Sequence, residues 1–244
     1  MSEGAAGVDV SVVLPVYRQA DQLADILKRA RAALRGVAAN PEIILVVNDR
    51  LQETLRTAEA LARLDPAVRV LESQSGWGVA VRAGLEAARG ELLCYTNSAR
   101  TQAGDLQMAL RYGHVNEAAV VKASRKQRRQ FLRRLGSVIY NFECRMMFGI
   151  AVWDVNGTPK VFHRCVLNQL DLTEDGDLID LEFCVLCKER GIPVVEMPVY
   201  DTTRVSGKAT TNLRSAVRLY SKPMFMRRQL ARRAASWRGD HGRA

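Results

Sequence analysis

Hydrophobic and polar positions along this chain follow two alternating rhythms. Residues 8–16 form a β-rich apolar run that closes on Pro15 and Val16. Residues 20–34 then place Leu23, Ile26, Leu27, Ala30 and Leu34 at helical spacing. Residues 42–47 return to strand character with five consecutive aliphatics, the signature of a strand covered on both faces of a parallel sheet. The same alternation predicts a helix over 51–64, a strand over 68–71, a helix over 79–88 stopped by Gly90, and a strand over 92–95. The second half is less regular. It predicts a short helix over 106–112, a strand over 119–122, a long helix over 127–148, a strand or turn at Val161 and Phe162, a helix over 178–190 and a β segment over 193–198. This order predicts an α/β fold with a mainly parallel central sheet flanked by helices. Ligands of such sheets sit beyond the carboxyl ends of the strands, so the loops after Val16, Val47 and Thr96 are expected on one rim.

Composition narrows the setting. The 244 residues are 48% hydrophobic, enough for a sizeable core. No apolar run reaches the roughly 18–20 residues that span a bilayer, and the first residues lack a secretory pattern. The expectation is a cytoplasmic protein, peripheral at the inner face of a membrane. Five scattered cysteines fit that setting. Cys184-Val185-Leu186-Cys187 has no second pair at zinc spacing and is read as buried core. His114, His163 and His241 have no partner at metal or triad spacing.

Charge changes the picture more. The net charge is +10 and is unevenly spread. Seven Lys or Arg and no acid lie between residues 118 and 141, and eleven with a single acid lie from residue 202 to 244. Two basic stretches on an acid-leaning body imply an anionic partner: phosphate, a lipid surface or nucleic acid. In the first stretch Arg128, Arg129, Arg133 and Arg134 lead into Ile139, Phe142, Met146, Met147 and Phe148, which suits an amphipathic helix at a lipid surface or a basic face above a core helix. The last ~15 residues, rich in Arg, Ala and Gly, are expected to fray.

Candidate chemistry gathers at the strand ends. Asp49 is placed to accept from a nucleobase N–H or to cap the following helix. Tyr17 can stack on a base or be an ordinary loop aromatic. Gly76 and Gly78 would let backbone approach a diphosphate at a helix start, or simply form a turn.

Together the motifs resemble family 2 glycosyltransferases of the GT-A (nucleotide-diphospho-sugar transferase) fold, a Rossmann-like arrangement, and within them the dolichyl-phosphate mannose synthase type. Ser11-Val12-Val13-Leu14-Pro15-Val16-Tyr17 resembles the opening strand, and Leu45-Val46-Val47-Asn48-Asp49 the second. Gly76-Trp77-Gly78 with Gly84, Ala88 and Gly90-Glu91 resembles the glycine block. Asp154-Val155-Asn156-Gly157-Thr158-Pro159-Lys160, Asp180-Leu181-Glu182 and Glu196-Met197-Pro198-Val199 resemble acceptor-side motifs, and Arg204 with Gly207-Lys208 the basic segment beyond them. Ser124-Arg125 resembles a phosphate-contacting pair. Thr173-Glu174-Asp175 is similar to the Thr-Glu-Asp of processive members, though Asp180 to Glu182 fits the pattern better and the former reads as a loop or helix cap.

The resemblance implies a domain over 1–212 followed by a basic helical extension over 213–244. It implies Pro15, Tyr17, Asn48, Asp49, Gly76, Gly78, Asn97 and Ser98 on the donor side. Ser124, Arg125, Arg204 and Lys208 would hold acceptor or phosphate, and Asp154 and Glu182 would be catalytic. Transfer from a UDP- or GDP-sugar to a polyprenyl-phosphate or other membrane-associated acceptor, with inversion, is the expected activity. Mg²⁺ or Mn²⁺ is expected from the family, but the metal ligands are unknown. The usual Asp-x-Asp is Asn97-Ser98-Ala99, the usual paired acid is Asn48-Asp49, and Arg18-Gln19 and Arg50-Leu51 replace the usual Asn-Glu and Gly-Ser. Diphosphate charge could be offset by Arg18, Arg50 or Arg100. Two other readings stay open: an impaired relative that binds a nucleotide sugar or a partner protein, and, more remotely, a nucleic-acid binder using the basic tail. Nucleic acid is not the expected partner, since interleaved aromatics and known binding motifs are missing. A homo-oligomer is compatible with the sequence.

Overall fold

A computed structural model describes residues 7–49, 51–126 and 131–200, with the side chains of 131–135 excepted. Arg50, Arg128, Arg129, Arg204, Lys208 and the basic extension lie outside the described residues, as do the side chains of Arg133 and Arg134.

The first half follows the alternation of the sequence. Strand β1 (Val10–Val16) leads through a 3-10 turn (Ala20–Gln22) to α1 (Leu23–Leu34). Then come β2 (Pro41–Val47), α2 (Gln52–Leu64), β3 (Val68–Glu72), α3 (Trp77–Ala87), β4 (Leu92–Tyr95) and α4 (Ala103–His114). The second half holds β5 (Val120–Arg125), α5 (Phe131–Phe148), β6 (Lys160–His163), α6 (Arg164–Leu167), α7 (Ile179–Glu189) and β7 (Val194–Val199).

The strands form one sheet in the order β3-β2-β1-β4-β6-β5-β7. β6 runs antiparallel to both its neighbours, and every other pairing is parallel. β1 is buried throughout and β2 in all but its first residue, which is why both read as apolar runs rather than as alternating strands. Period-two geometry sends Val10, Val12, Leu14 and Val16 to one side, where they meet Leu23, Ile26 and Leu27 of α1 and Leu106 and Leu110 of α4. Val13, Ile44, Leu93 and Tyr95 face the other side, against Ala80 and Leu85 of α3, Tyr140 and Cys144 of α5 and Phe183 of α7.

Register fixes the rim. Val16 pairs with Val47, and Tyr95 with Val13. The exits of β1, β2 and β4 therefore lie together, as the sequence predicts. The reversed β6 also brings its first residue, Lys160, and the preceding Pro159 toward the exit of β5, so the rim continues across the second half.

Candidate functional site

On the first half of the rim, short local bonds hold the strand exits. Asn48 is buried. Its Nδ2 donates to the Gly76 carbonyl at 3.2 Å, while its Oδ1 is buried without a hydrogen-bond partner in the described structure. Gln19 Nε2 is in the same situation. Asp49 accepts from the backbone N–H of Arg18 at 2.6 Å, the Thr54 hydroxyl at 2.8 Å and the Leu51 N–H at 2.9 Å. It thus clamps the β1 exit to the residues that open α2, although the N-cap position of that helix is Leu51 and receives no side-chain cap. Arg18 takes a positive φ of 51°, and its guanidinium lies over the Tyr17 ring, 5.4 Å from the centroid. Tyr17 and Arg18 are exposed at this rim.

The turn after β4 is closed on itself. The Asn97 side-chain oxygen accepts from the Ala99 N–H at 3.1 Å, and its carbonyl receives Arg100 N, Thr101 N and the Thr101 hydroxyl. Ser98 Oγ donates to the Pro15 carbonyl at 3.0 Å and lies 2.9 Å from Gln19 Oε1; Arg29 reaches in from α1 to hold the Ser98 carbonyl. A divalent ion of this class needs several outward, preferably charged, oxygens. Asn97 turns its side-chain oxygen into the turn, Ser98 directs its hydroxyl to the β1 exit and neither carries charge. Ala99 has no oxygen in its side chain, and the described residues hold no group of three His, Cys, Asp or Glu placed for a metal. This turn does not fit the expected ion.

Gly76 and Gly78 open α3, and a loop from the second half fills the space beside them. The Asp175 carbonyl accepts from Val79 N at 3.1 Å. A Cβ on Gly76 would come within 2.6 Å of that oxygen, and one on Gly78 would collide with the Glu174 carbonyl. The start of α3 is therefore capped by protein backbone. Glu182, buried on α7, holds this loop by accepting from Thr173 N, the Thr173 hydroxyl and Glu174 N at 2.8–3.2 Å. Arg82 of α3 adds bonds to the Thr173 carbonyl and Asp175.

On the second half of the rim, Arg125 ends β5 beside buried Ser124. Its Nε and Nη2 meet the two carboxylate oxygens of Asp154 at 2.6 and 2.7 Å, and its backbone N–H donates to the same carboxylate at 3.0 Å. Burial disfavours the Arg125 charge, but the bonds and field of Asp154 more than offset this and leave its pKa above the ordinary arginine value. Gly157 permits the geometry: its N–H donates to the Asp154 carbonyl, and any Cβ there would strike the Ala123 carbonyl.

Behind this pair runs a row whose members Lys160, Asp180 and Glu196 the sequence motifs include, but whose pairings, and the parts of Lys122 and Tyr95, sequence reasoning missed. Tyr95, Lys160, Lys122 and Glu196 are register partners on β4, β6, β5 and β7. Both lysines are fully buried. Lys122 Nζ bonds Glu196 at 3.1 Å and the Asp154 carbonyl, and Glu196 accepts from the N–H groups of Trp153 and Asp154. Lys160 pairs with Asp180, which also accepts from the Tyr95 hydroxyl at 2.9 Å and the Trp77 indole at 3.2 Å. Burial, then the charge of Asp180, raises the Tyr95 pKa far above its usual value, so the phenol stays a donor. A lysine inside an apolar strand (Val120-Val121-Lys122-Ala123; Lys160-Val161-Phe162) was the available signal.

The reversed β6 within an otherwise parallel sheet, with the strand exits gathered on one rim, is the arrangement of a nucleotide-diphospho-sugar transferase fold of the GT-A type. Residues 11–170 match the model of glycosyl transferase family 2, and the chain belongs to that family. It is similar to a dodecaprenyl-phosphate galacturonate synthase of Rhizobium johnstonii, 25% identical over 68% of this chain and 51% of the relative. It is also similar to an undecaprenyl-phosphate 4-deoxy-4-formamido-L-arabinose transferase of Pseudomonas fluorescens, 24% identical over 70% and 52%. The chain spans about half the length of these curated relatives. In fold it matches glucosyl-3-phosphoglycerate synthase from Mycobacterium tuberculosis, solved with Mn²⁺, UDP and glucosyl-3-phosphoglycerate, with a TM-score of 0.68, 16% identity, and coverage of 91% of this chain and 80% of that one.

Proposed function

We propose that this chain moves a sugar from a nucleoside-diphosphate sugar to the phosphate of a polyprenyl phosphate, with inversion. The observation that carries the reading is Arg125, presented at the end of β5 by a carboxylate anchored through Lys122 and Glu196, in a chain whose relatives are named for polyprenyl-phosphate acceptors.

In this reading an acceptor phosphate oxygen attacks the anomeric carbon as the bond to the donor's β-phosphate breaks, and the nucleoside diphosphate leaves. The nucleophile is already anionic, so no general base is needed. That frees Asp154 and Glu182 for positioning. Asp154 aims Arg125 at phosphate, and Glu182 holds the loop that caps α3. Ser124 joins Arg125 on the acceptor side, and Arg204 and Lys208, outside the described residues, are assigned phosphate only through the family resemblance.

On the donor side Tyr17, the Asn48 carbonyl oxygen and the Gln19 amide offer a stacking surface, an acceptor and a donor beside Pro15. Asp49, Gly76, Gly78, Asn97 and Ser98 shape this rim through the bonds described. Arg18 and Arg100 are positioned in sequence to offset leaving-group charge, a part for which guanidinium suits phosphate. No step is assigned to a divalent ion.

The closed 97–99 turn also favours a second reading, a relative that binds a nucleotide sugar without turnover. A thermal-shift screen of UDP, GDP and their sugars, followed by assay of nucleoside diphosphate release, tests both. The proposed function expects stabilisation by one nucleotide class and release from its sugar. Stabilisation without release supports the second reading, and no stabilisation contradicts both.

A further inference from the structure

Helix α5 buries one side and leaves an apolar stripe on the other. Tyr140, Cys144 and Phe148 face the core. Val138, Ile139, Phe142 and Met146 are 51–71% exposed. At about 100° per residue these four share an arc of roughly 100° on the opposite side from the core row. Trp153 extends the patch. It is 64% exposed, and Arg145 of α5 stacks over its ring 4.1 Å from the centroid.

Solitary exposed apolar residues are ordinary, but a contiguous stripe with an aromatic flank marks an interaction surface. Its chemistry selects the partner. The stripe is flanked by Arg145, follows the basic run of Lys126, Arg128, Arg129, Arg133 and Arg134, and belongs to a chain of net charge +10. A second copy would bring like charge against like. An anionic lipid surface would take both the apolar stripe and the basic flank, with the Trp153 indole at headgroup level.

We propose that the outer face of α5, with Trp153, docks on an anionic lipid surface. Trp153 immediately precedes Asp154, so docking there sets the Arg125–Asp154 pair beside the membrane. The inference extends the proposed lipid-linked acceptor, yet docking needs neither donor nor acceptor and is measured without them.

The test is flotation of the full chain with phosphatidylglycerol-containing vesicles and with purely zwitterionic ones, in wild type and in a Phe142→Glu/Met146→Glu variant. Both side chains are exposed, so the variant should keep its fold, checked by circular dichroism; a Phe142→Leu/Met146→Leu variant controls for the substitutions. The wild type and the leucine variant should float with anionic vesicles in a salt-sensitive manner. The glutamate variant should partition about ten-fold less or worse. Tryptophan emission should shift to the blue on anionic vesicles, and a Trp153→Phe substitution should remove most of that shift. Equal flotation of the glutamate variant would overturn the proposal, since another segment would then carry binding. So would a wild type that ignores vesicles, or one that forms dimers which the glutamates dissociate.

Discussion

Arg125 and Asp154 meet through two parallel side-chain bonds of 2.6 and 2.7 Å, across 29 residues of sequence. The pair couples the residue proposed to bind phosphate to the carboxylate that aims it. Both side chains are largely covered, and removing one partner of such a pair costs about 3–5 kcal/mol. Asp154→Ala should therefore destabilise by that order. Asp154→Ala with Arg125→Met should cost less than the sum of the singles, because the stranded charge is gone. Chemical denaturation of the four proteins measures this. Additive losses would mean that the two groups do not depend on each other.

The loop at 173–175 gives a second expectation. Glu182 supplies its hydrogen bonds, and Gly78 supplies the room that lets it approach α3. Glu182→Ala leaves Thr173 and Glu174 N–H groups unmet, at about 1–3 kcal/mol. Gly78→Ala overpacks the same contact at a similar cost of about 1–3 kcal/mol. Both should speed proteolysis near residues 172–176 and weaken nucleotide-sugar binding. Intact loop protection in both variants would contradict the assigned geometry.

A pH effect follows at the opposite rim. Glu42 is buried, which works against its charge. Bonds from Arg69, Ser11 and Arg89 outweigh this and hold its pKa below the ordinary 4.5. A depressed carboxylate contributes stability that is present above its unfolded pKa and lost as pH falls through the folded one. Glu42→Gln should lower Tm at pH 7, and the gap to wild type should close below about pH 4.5. A gap that persists unchanged to pH 3 would show that charge is not what Glu42 contributes.

The turn at Asn97, Ser98 and Ala99 bears on metal dependence. With its side-chain oxygens engaged internally, nucleotide binding should survive EDTA. Arg18→Gln should weaken donor binding about ten-fold, the scale of one lost charge-assisted contact. Titration calorimetry with UDP and GDP, in EDTA and in Mn²⁺, reads both. Binding seen only with Mn²⁺ would mean that the ion finds ligands elsewhere.

Much of the first half was legible in the sequence because β1 and β2 are covered on both faces and read as unbroken apolar runs. β6 was harder. It has four residues, begins with a lysine after a proline, and runs against its neighbours. Lys160 is tolerable in the core only because Asp180 arrives 20 residues later to neutralise it, a contact that no local pattern reveals. Helix α4 extends beyond the predicted 106–112 because its first residues, Ala103, Gly104 and Asp105, carry no large apolar side chain to mark the helical period. Pro15, Asn48, Asp49, Asn97, Ser98, Ser124 and Arg125 do fall at or just past strand ends, whereas Glu182 lies on α7 and Asp154 in the loop before β6, and the couplings among them were not visible. Gly76 and Gly78 read as an open helix start, since the loop that caps them comes almost a hundred residues later. Asp154 and Arg125 read as separate motifs until β5 and β6 brought them together.

The proposed transfer is tested most directly by incubating the protein with undecaprenyl phosphate and a panel of radiolabelled UDP- and GDP-sugars, then extracting the lipid phase. The account predicts label in a lipid-linked sugar phosphate from at least one donor, lost on Arg125→Ala. Nucleotide-sugar binding with no lipid-linked product from any donor would contradict it.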